Sequence, residues 1–324
     1  MKGIKDFDTM KINIVGDIFL DIVAQNVNQL PTKWSTDTLA SSIQQFPGGS
    51  ALNCATHASN YLEYRNVDDV KVAVFSAVGH DSFGYSCLDF LGRQQNVESN
   101  VIFKGDMRTG SCIVISGREN RSFITDRGCI DSLAVDWFPL NLLLSTNLIH
   151  VTGYYNCRGL HPGLLNLLKQ AKEKCIKTCL NPQYDATGVW GSIEELCPYL
   201  DLIICNEDEI KFITSGAESD LDHCANKLFS WGCHSAVIVT LGSEGAVVYY
   251  KDFDQRISSL HQPTAKIEVV DTTGCQLLFD KFIIISILIA LLLYPNVLYF
   301  KGREMHSRVH FLWNICVLKS GPKL

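Results

Sequence analysis

Residues 202–214 read Leu202-Ile203-Ile204-Cys205-Asn206-Glu207-Asp208-Glu209-Ile210-Lys211-Phe212-Ile213-Thr214. The apolar run predicts a short buried strand over Leu202–Cys205. Asn206 is a helix-capping residue type, and a helix follows by pattern over Glu207–Thr214. The same order recurs along the chain. Lys11–Val15 predicts a strand ending in Gly16, Gly49–Tyr64 a helix, Val70–Val78 a strand and Phe83–Gln94 a helix. Leu148–Thr152, Ile176–Leu180 and Ala236–Thr240 read as buried strands, and Gly159–Lys174 and Leu221–Trp231 as helices. Repeated strand-then-helix order predicts an α/β domain with a mostly parallel sheet covered on both faces.

Two stretches break the rhythm. Asp37–Phe46 is extended and follows on Val27–Trp34, and Ser111–Ser116 with Arg121–Asp126 flanks Gly117-Arg118-Glu119-Asn120 as a β-hairpin. Together they predict a small separate β-sheet, set as a lid over the mouth of the main sheet. The lid segments fall at about 17–46 and 100–127, inside a domain spanning 1–274.

The chain has 324 residues, 47% hydrophobic and 19% charged, as a globular chain with a sizeable core requires. A net charge of -6 argues against a nucleic-acid partner. That charge is uneven: residues 275–324 carry net +4 and residues 1–274 net -10. The 13 cysteines are scattered, without a Cys-x-x-Cys pair. With no apolar run at the N-terminus they predict reduced thiols in a cytoplasmic protein.

Several short segments carry candidate chemistry. Phe46-Pro47-Gly48-Gly49-Ser50-Ala51-Leu52-Asn53 is a Gly-Gly turn opening a helix; its glycines let a ligand approach the backbone, and Asn53 lies one turn in. Asp17 and Asp21 follow the first strand, at the end of an open α/β sheet where ligands bind, although a cap or a solvated charge also explains either one. Gly79-His80-Asp81-Ser82-Phe83-Gly84 links a strand to a helix that Asp81 or Ser82 caps. Capping accounts for Asn206, while three acids after it also suit water-mediated Mg²⁺. Thr240-Leu241-Gly242-Ser243-Glu244-Gly245 ends a strand, either as a phosphate cradle or as a hairpin turn. Arg118 and Arg127 near the hairpin suit an acidic sugar or plain solvation.

In this order and spacing, the segments resemble the ribokinase-like (PfkB) carbohydrate kinases, together with Thr109-Gly110 and Asp271-Thr272-Thr273-Gly274. The resemblance covers nearly all of residues 11–274. It implies a Rossmann-like three-layer α/β domain with a small β lid, and ATP- and Mg²⁺-dependent phosphorylation of a sugar hydroxyl. Adenosine or another nucleoside is the alternative acceptor, and a non-catalytic sugar-binding pseudokinase the alternative role. Carried over by position, Asp21, Gly48, Gly49 and Asn53 would hold the sugar. Asn206 and Glu209 would order Mg²⁺ and its waters, and Thr240, Gly242, Gly245 and Gly274 would line the nucleotide site. Asp271 and Thr273 would serve a monovalent cation such as K⁺ in members that use one. A homodimer pairing through the lid is a further expectation.

The resemblance stops after Gly274. The family continues with Ala-Gly-Asp, whose Asp takes the proton from the attacking hydroxyl. Here Cys275, Gln276 and Leu277 follow, and Leu277 holds the base position. Asp280 comes three residues later; on a helix that places it ~4–5 Å further along, too far for a direct substitute. Phe282–Tyr294 is an uncharged run of 13 residues, against roughly 20 for a bilayer span. Three readings of the tail fit its composition: a membrane contact, a buried helix replacing the family's last helices, or an abnormal end from intron or shifted-frame sequence.

Overall fold

The computed structural model describes residues 9–30, 34–117, 121–214, 220–252 and 254–263. Two sheets organise them. The larger has nine strands: β1 (Met10–Gly16), β4 (Val70–Gly79), β5 (Val97–Lys104), β8 (Leu148–Thr152), β9 (Lys177–Asn181), β10 (Leu202–Asn206), β11 (Ala236–Thr240), β12 (Ala246–Lys251) and β13 (Ile257–Gln262). Their spatial order is β13-β12-β11-β10-β9-β8-β1-β4-β5. Pairing is parallel from β5 to β11 and antiparallel for β11–β12 and β12–β13.

Side-chain alternation along each strand feeds two cores, which is why the strands read as unbroken apolar runs. Ile12, Ile14, Leu148, Leu202 and Ile204 point to one side, where Ala51, Leu52, Ala55, Ala58 and Leu62 of α1 (Ser50–Arg65) and Cys87 and Leu91 of α2 (Ser82–Gly92) pack. Val15, Ile149, Val151, Ile203 and Cys205 point to the other. There they meet α3 (Leu140–Leu143), α4 (His161–Glu173), α5 (Glu207–Ile213) and α6 (Leu221–Ser230). The expected three-layer α/β architecture is present.

The smaller sheet contains β2 (Phe19–Gln25), β3 (Ser42–Gly48), β6 (Gly110–Ser116) and β7 (Arg121–Asp126), in the order β3-β2-β6-β7. Its outer pairs are antiparallel, but β2 and β6 at its centre run parallel. Two boundaries differ from the sequence reading. Residues 97–104 form the edge strand β5 of the large sheet, so the second lid segment does not begin at 100. The extended stretch at Asp37–Phe46 becomes a strand only from Ser42, where pairing with β2 supplies its ladder.

Among the described residues every cysteine is free, and all but Cys175 are buried. Burial pushes the Cys87 thiol up to about 12, which leaves it un-ionised and unreactive. No described helix is long and apolar enough to cross a membrane.

Candidate active site

The motifs among the described residues gather at one edge, the C-terminal ends of the parallel strands. The chain leaves β1 toward β4 on one side and reaches β8 on the other, so β1 and β8 flank the crevice where open α/β sheets bind ligands.

Asp17 stands there, buried at 1% exposure. Its Oδ1 accepts from Ser50 N at 2.8 Å and its Oδ2 from Asn156 Nδ2 at 2.9 Å. Gly49, at the N-cap of α1, has no side chain to cap with, and Asp17 supplies that cap from a distant segment. The capping reading of Asp17 holds, and through it the end of β1, the start of α1 and the loop after β8 are one unit.

Gly49 has φ 89° and ψ 154°, and a Cβ there would lie 2.6 Å from the Asp17 carbonyl oxygen and 2.8 Å from Phe19 N. Only glycine fits on both counts. Gly48 faces the Asp21 carboxylate: an added Cβ would come 2.8 Å from Asp21 Cγ. Asn53 is half-buried one turn into α1, its backbone N–H bonded to Gly49 O at 3.0 Å. Asp21, Gly48, Gly49 and Asn53 thus come together where the small sheet joins α1.

Asp81 is the cap of α2, and it does more than cap. Oδ1 accepts from Gly84 N at 2.8 Å and Thr109 Oγ1 at 2.7 Å, and Oδ2 from Thr109 N at 2.8 Å. Thr109 Oγ1 in turn accepts from Gly79 N at 2.9 Å. The knot fixes where β6 enters the small sheet. Burial works to raise the Asp81 carboxyl, but these hydrogen bonds outweigh it and hold it below the usual range.

At the other end of the crevice, register sets Asn206 opposite Thr240 and Thr240 opposite Ala246. Asn206 Oδ1 accepts from Glu209 N at 2.8 Å, while Glu209 accepts from Asn206 N at 3.1 Å and Asn206 Nδ2 at 3.0 Å. This is a reciprocal capping box. Both Glu209 oxygens hold N–H donors of Asn206, and the side chain is buried. Among the described residues no three His, Cys, Asp or Glu converge as a metal cluster.

The segment Thr240–Gly245 is a hairpin turn between antiparallel β11 and β12. Leu241 N bonds Gly245 O, Glu244 N bonds Leu241 O and Gly245 N bonds Gly242 O. Those three N–H groups close the turn on itself, so the hairpin reading accounts for Gly242 and Gly245, whose φ values are 55° and 103°. Gly274, Asp271, Thr273, Leu277 and Asp280 lie outside the described residues, as do Arg118 and the run Phe282–Tyr294.

Other residues at this edge carry no motif signal. Asn181 donates to Ile204 O at 2.8 Å and accepts from Thr152 Oγ1 at 3.2 Å, a pairing that needs an amide. Asp185, 4% exposed, gathers the loop after β9 by accepting from Thr187, Val189 and Trp190 N–H groups. Arg127 is not a solvated hairpin arginine: its side chain is 16% exposed, 3.7 Å from Asp131, which Arg158 also holds through two 2.6 Å bonds. The partners of Asn181, and the Arg158 that reaches Asp131, lie 23 to 29 residues away and are invisible to local pattern.

Similarity to known proteins agrees with this geometry. Residues 10–275 match the family model described as pfkB family carbohydrate kinase. A ribokinase of Lactococcus lactis is 28% identical over 280 residues, covering 82% of this chain and 79% of that protein. An adenosine kinase of Schizophyllum commune is 26% identical over 296 residues, covering 85% and 80%. A ribokinase structure from Giardia lamblia superposes with a TM-score of 0.76 at 19% identity, covering 97% of this chain and 96% of that one. The Arabidopsis thaliana ribokinase complexed with ribose and ATP gives 0.68 at 20% identity, with 97% and 94% covered. Fold and crevice define a ribokinase-like α/β protein. The chain belongs to the pfkB family of carbohydrate kinases.

Proposed function

We propose that this chain binds a sugar and ATP in the crevice at the C-terminal strand ends, in an arrangement built for phosphoryl transfer to a sugar hydroxyl. The observation that carries the reading is the junction at Gly48 and Gly49. Asp21 lies against Gly48, and Asn53 stands one turn into the helix that Gly49 opens, so a carboxylate and an amide, groups that a polyol needs, belong to one junction. Asp21 and Asn53 orient the hydroxyls, while Gly48 leaves room for the Asp21 carboxylate and Gly49 for the main chain at Asp17–Phe19. Mg²⁺, by resemblance, would neutralise phosphate charge through waters held by Asn206 and Glu209; Thr240, Gly242 and Gly245 would shape the nucleotide wall. Gly274 would belong to the same wall, and Asp271 and Thr273 to a K⁺ site.

Turnover is impaired in this reading, because Leu277 takes the base position and cannot accept a proton. A lost general base costs on the order of 10²–10⁴ in rate. The test is ATP consumption with ribose, fructose and adenosine, run beside the triple variant Cys275→Ala, Gln276→Gly, Leu277→Asp. A gain of at least 10²-fold on restoration supports the reading; near-normal kinase rates in the unaltered chain refute it. If Asp280 acts as a substitute base, Asp280→Ala abolishes any residual activity.

The adenosine kinase relative supports a nucleoside as the second acceptor. A sugar-binding pseudokinase is favoured if ribose or fructose raises the melting midpoint without turnover. The small sheet also supports a homodimer: Ile43, Ile113 and Ile124 share one face by register and are 70%, 42% and 59% exposed. Light scattering that finds a monomer at high concentration would exclude that pairing. The free buried thiols support a cytosolic location, which secretion of a tagged chain would contradict.

A further inference from the structure

The large sheet carries a second concave site away from the crevice. A cavity of about 500 Å³ is lined by Lys11, Asn13, Lys71, Ala73, Glu98 and Asn100, among others, with Leu142 of α3 on its rim. Lys11 lies six residues before Asp17, which at ~3.3 Å per residue puts it about 20 Å away along the chain.

Strand register explains the composition. Lys11 pairs with Lys71, Asn13 with Ala73 and Ala73 with Glu98, and Phe75 pairs with Asn100. Alternation puts Lys11, Asn13, Lys71, Ala73, Phe75, Glu98 and Asn100 on one face. The small side chain of Ala73 leaves the depression at the centre. Two ammonium groups stand at one end, apolar Ala73, Phe75 and Leu142 form part of the surround, and amide and carboxylate acceptors stand further along.

Like charges directly opposite on neighbouring strands repel. Among the described residues neither lysine is ion-paired. Lys71 Nζ is held by the neutral Asn96 Oδ1 at 2.6 Å, and Asn147 Oδ1 accepts from Lys11 N at 2.8 Å. Asn13, 3% exposed, spends its amide hydrogens on the α3 carbonyls of Leu142 and Leu143, at 3.2 and 2.9 Å. Asn13 itself lines the cavity.

We propose that this cavity is a binding site for a small phosphate monoester of a polyol, separate from the crevice. The phosphate sits between Lys11 and Lys71 and relieves their repulsion. The hydroxyls donate to Asn13 Oδ1, Glu98 and Asn100. A cavity of this size suits a molecule of that class.

The test uses sn-glycerol 3-phosphate, with glycerol and inorganic phosphate as controls, read by calorimetry and by thermal midpoint. The proteins are the full chain, Lys71→Gln and the double variant Lys11→Gln, Lys71→Gln. The expected result is a saturable midpoint rise in the full chain and at least tenfold weaker binding in the double variant, with Lys71→Gln between. The unliganded double variant should melt no lower than the parent, because a repulsion has been removed. Equal affinity in parent and double variant overturns the site. Inorganic phosphate binding as tightly as the ester overturns the polyol assignment. The Asp21→Ala variant should bind the ester as the parent does, which separates failure here from failure of the crevice reading; lost binding in that variant assigns the ester to the crevice and overturns the second site.

Discussion

Substituting the two adjacent glycines should separate binding from folding. In Gly48→Ala, the new methyl meets Asp21, with Cγ at 2.8 Å and Oδ1 at 3.2 Å. That carboxylate is the end of a rotatable side chain, so it moves aside at a cost of about 0.5–1.5 kcal/mol. Stability therefore falls by about 1 kcal/mol. At the proposed sugar site, the displaced carboxylate no longer meets the sugar. A hydrogen bond to a charged group is worth about 1.5–3 kcal/mol, so sugar affinity drops roughly 10- to 150-fold. In Gly49→Ala the obstruction is main chain, with Asp17 O at 2.6 Å and Ile18 Cα at 2.8 Å, and φ of 89° adds strain. Strain of about 1–3 kcal/mol plus a collision that cannot rotate away gives a loss of about 3 kcal/mol or more. Urea unfolding measures the stabilities, and calorimetry with ribose and fructose the affinities. The reasoning fails if Gly48→Ala destabilises as much as Gly49→Ala, or if Gly48→Ala binds the preferred sugar as tightly as the parent.

His150 is fully buried on β8, and burial lowers its pKa to about 4. Its Nδ1 has no hydrogen-bond partner among the described residues. The unfolded chain takes up that proton near pH 6.5 and the folded chain only near 4. This contribution is whole above about pH 6.5 and lost as pH falls toward 4, by about 3 kcal/mol over the interval. His150→Leu should flatten the stability profile between pH 7 and 5; an unchanged slope would falsify the assignment. Asp81→Ala removes a helix cap and both bonds to Thr109, and should cost about 1–3 kcal/mol in urea unfolding, with a loss below 0.5 kcal/mol counting against the knot. Asn181→Asp deprives the Ile204 carbonyl of its donor and should destabilise by about 1–3 kcal/mol, a result that a neutral or stabilising outcome would contradict.

Local pattern was enough for the strands buried on both faces and for the helices after them. Leu202–Thr214 is legible because its apolar run and its cap are both encoded within a dozen residues. The hairpin Ser111–Asp126 was legible for the same reason. β5 was not, since Val97–Lys104 has neither an unbroken apolar run nor a strict alternation, and only pairing with β4 assigns it to the large sheet. β12 and β13 went unmarked because they return antiparallel after a series of strand–helix units, although Ala246–Lys251 is rich in the β-branched and aromatic residues of a strand.

The candidate site divides in the same way. Gly48-Gly49 and Asn206 announce themselves by residue type, because left-handed turns and helix caps are local demands on the backbone. The order of these motifs along the chain, with Leu277 where an acid is expected, is also a property of sequence alone. What Asp17 does is decided elsewhere, by Ser50 and Asn156, which lie 33 and 139 residues away. The same holds for Asp81 and Thr109 and for the lysine pair at the far end of β1. Hydrogen bonds and like-charge contacts act over a few ångströms in space, and only the packed sheet brings such distant residues within that range.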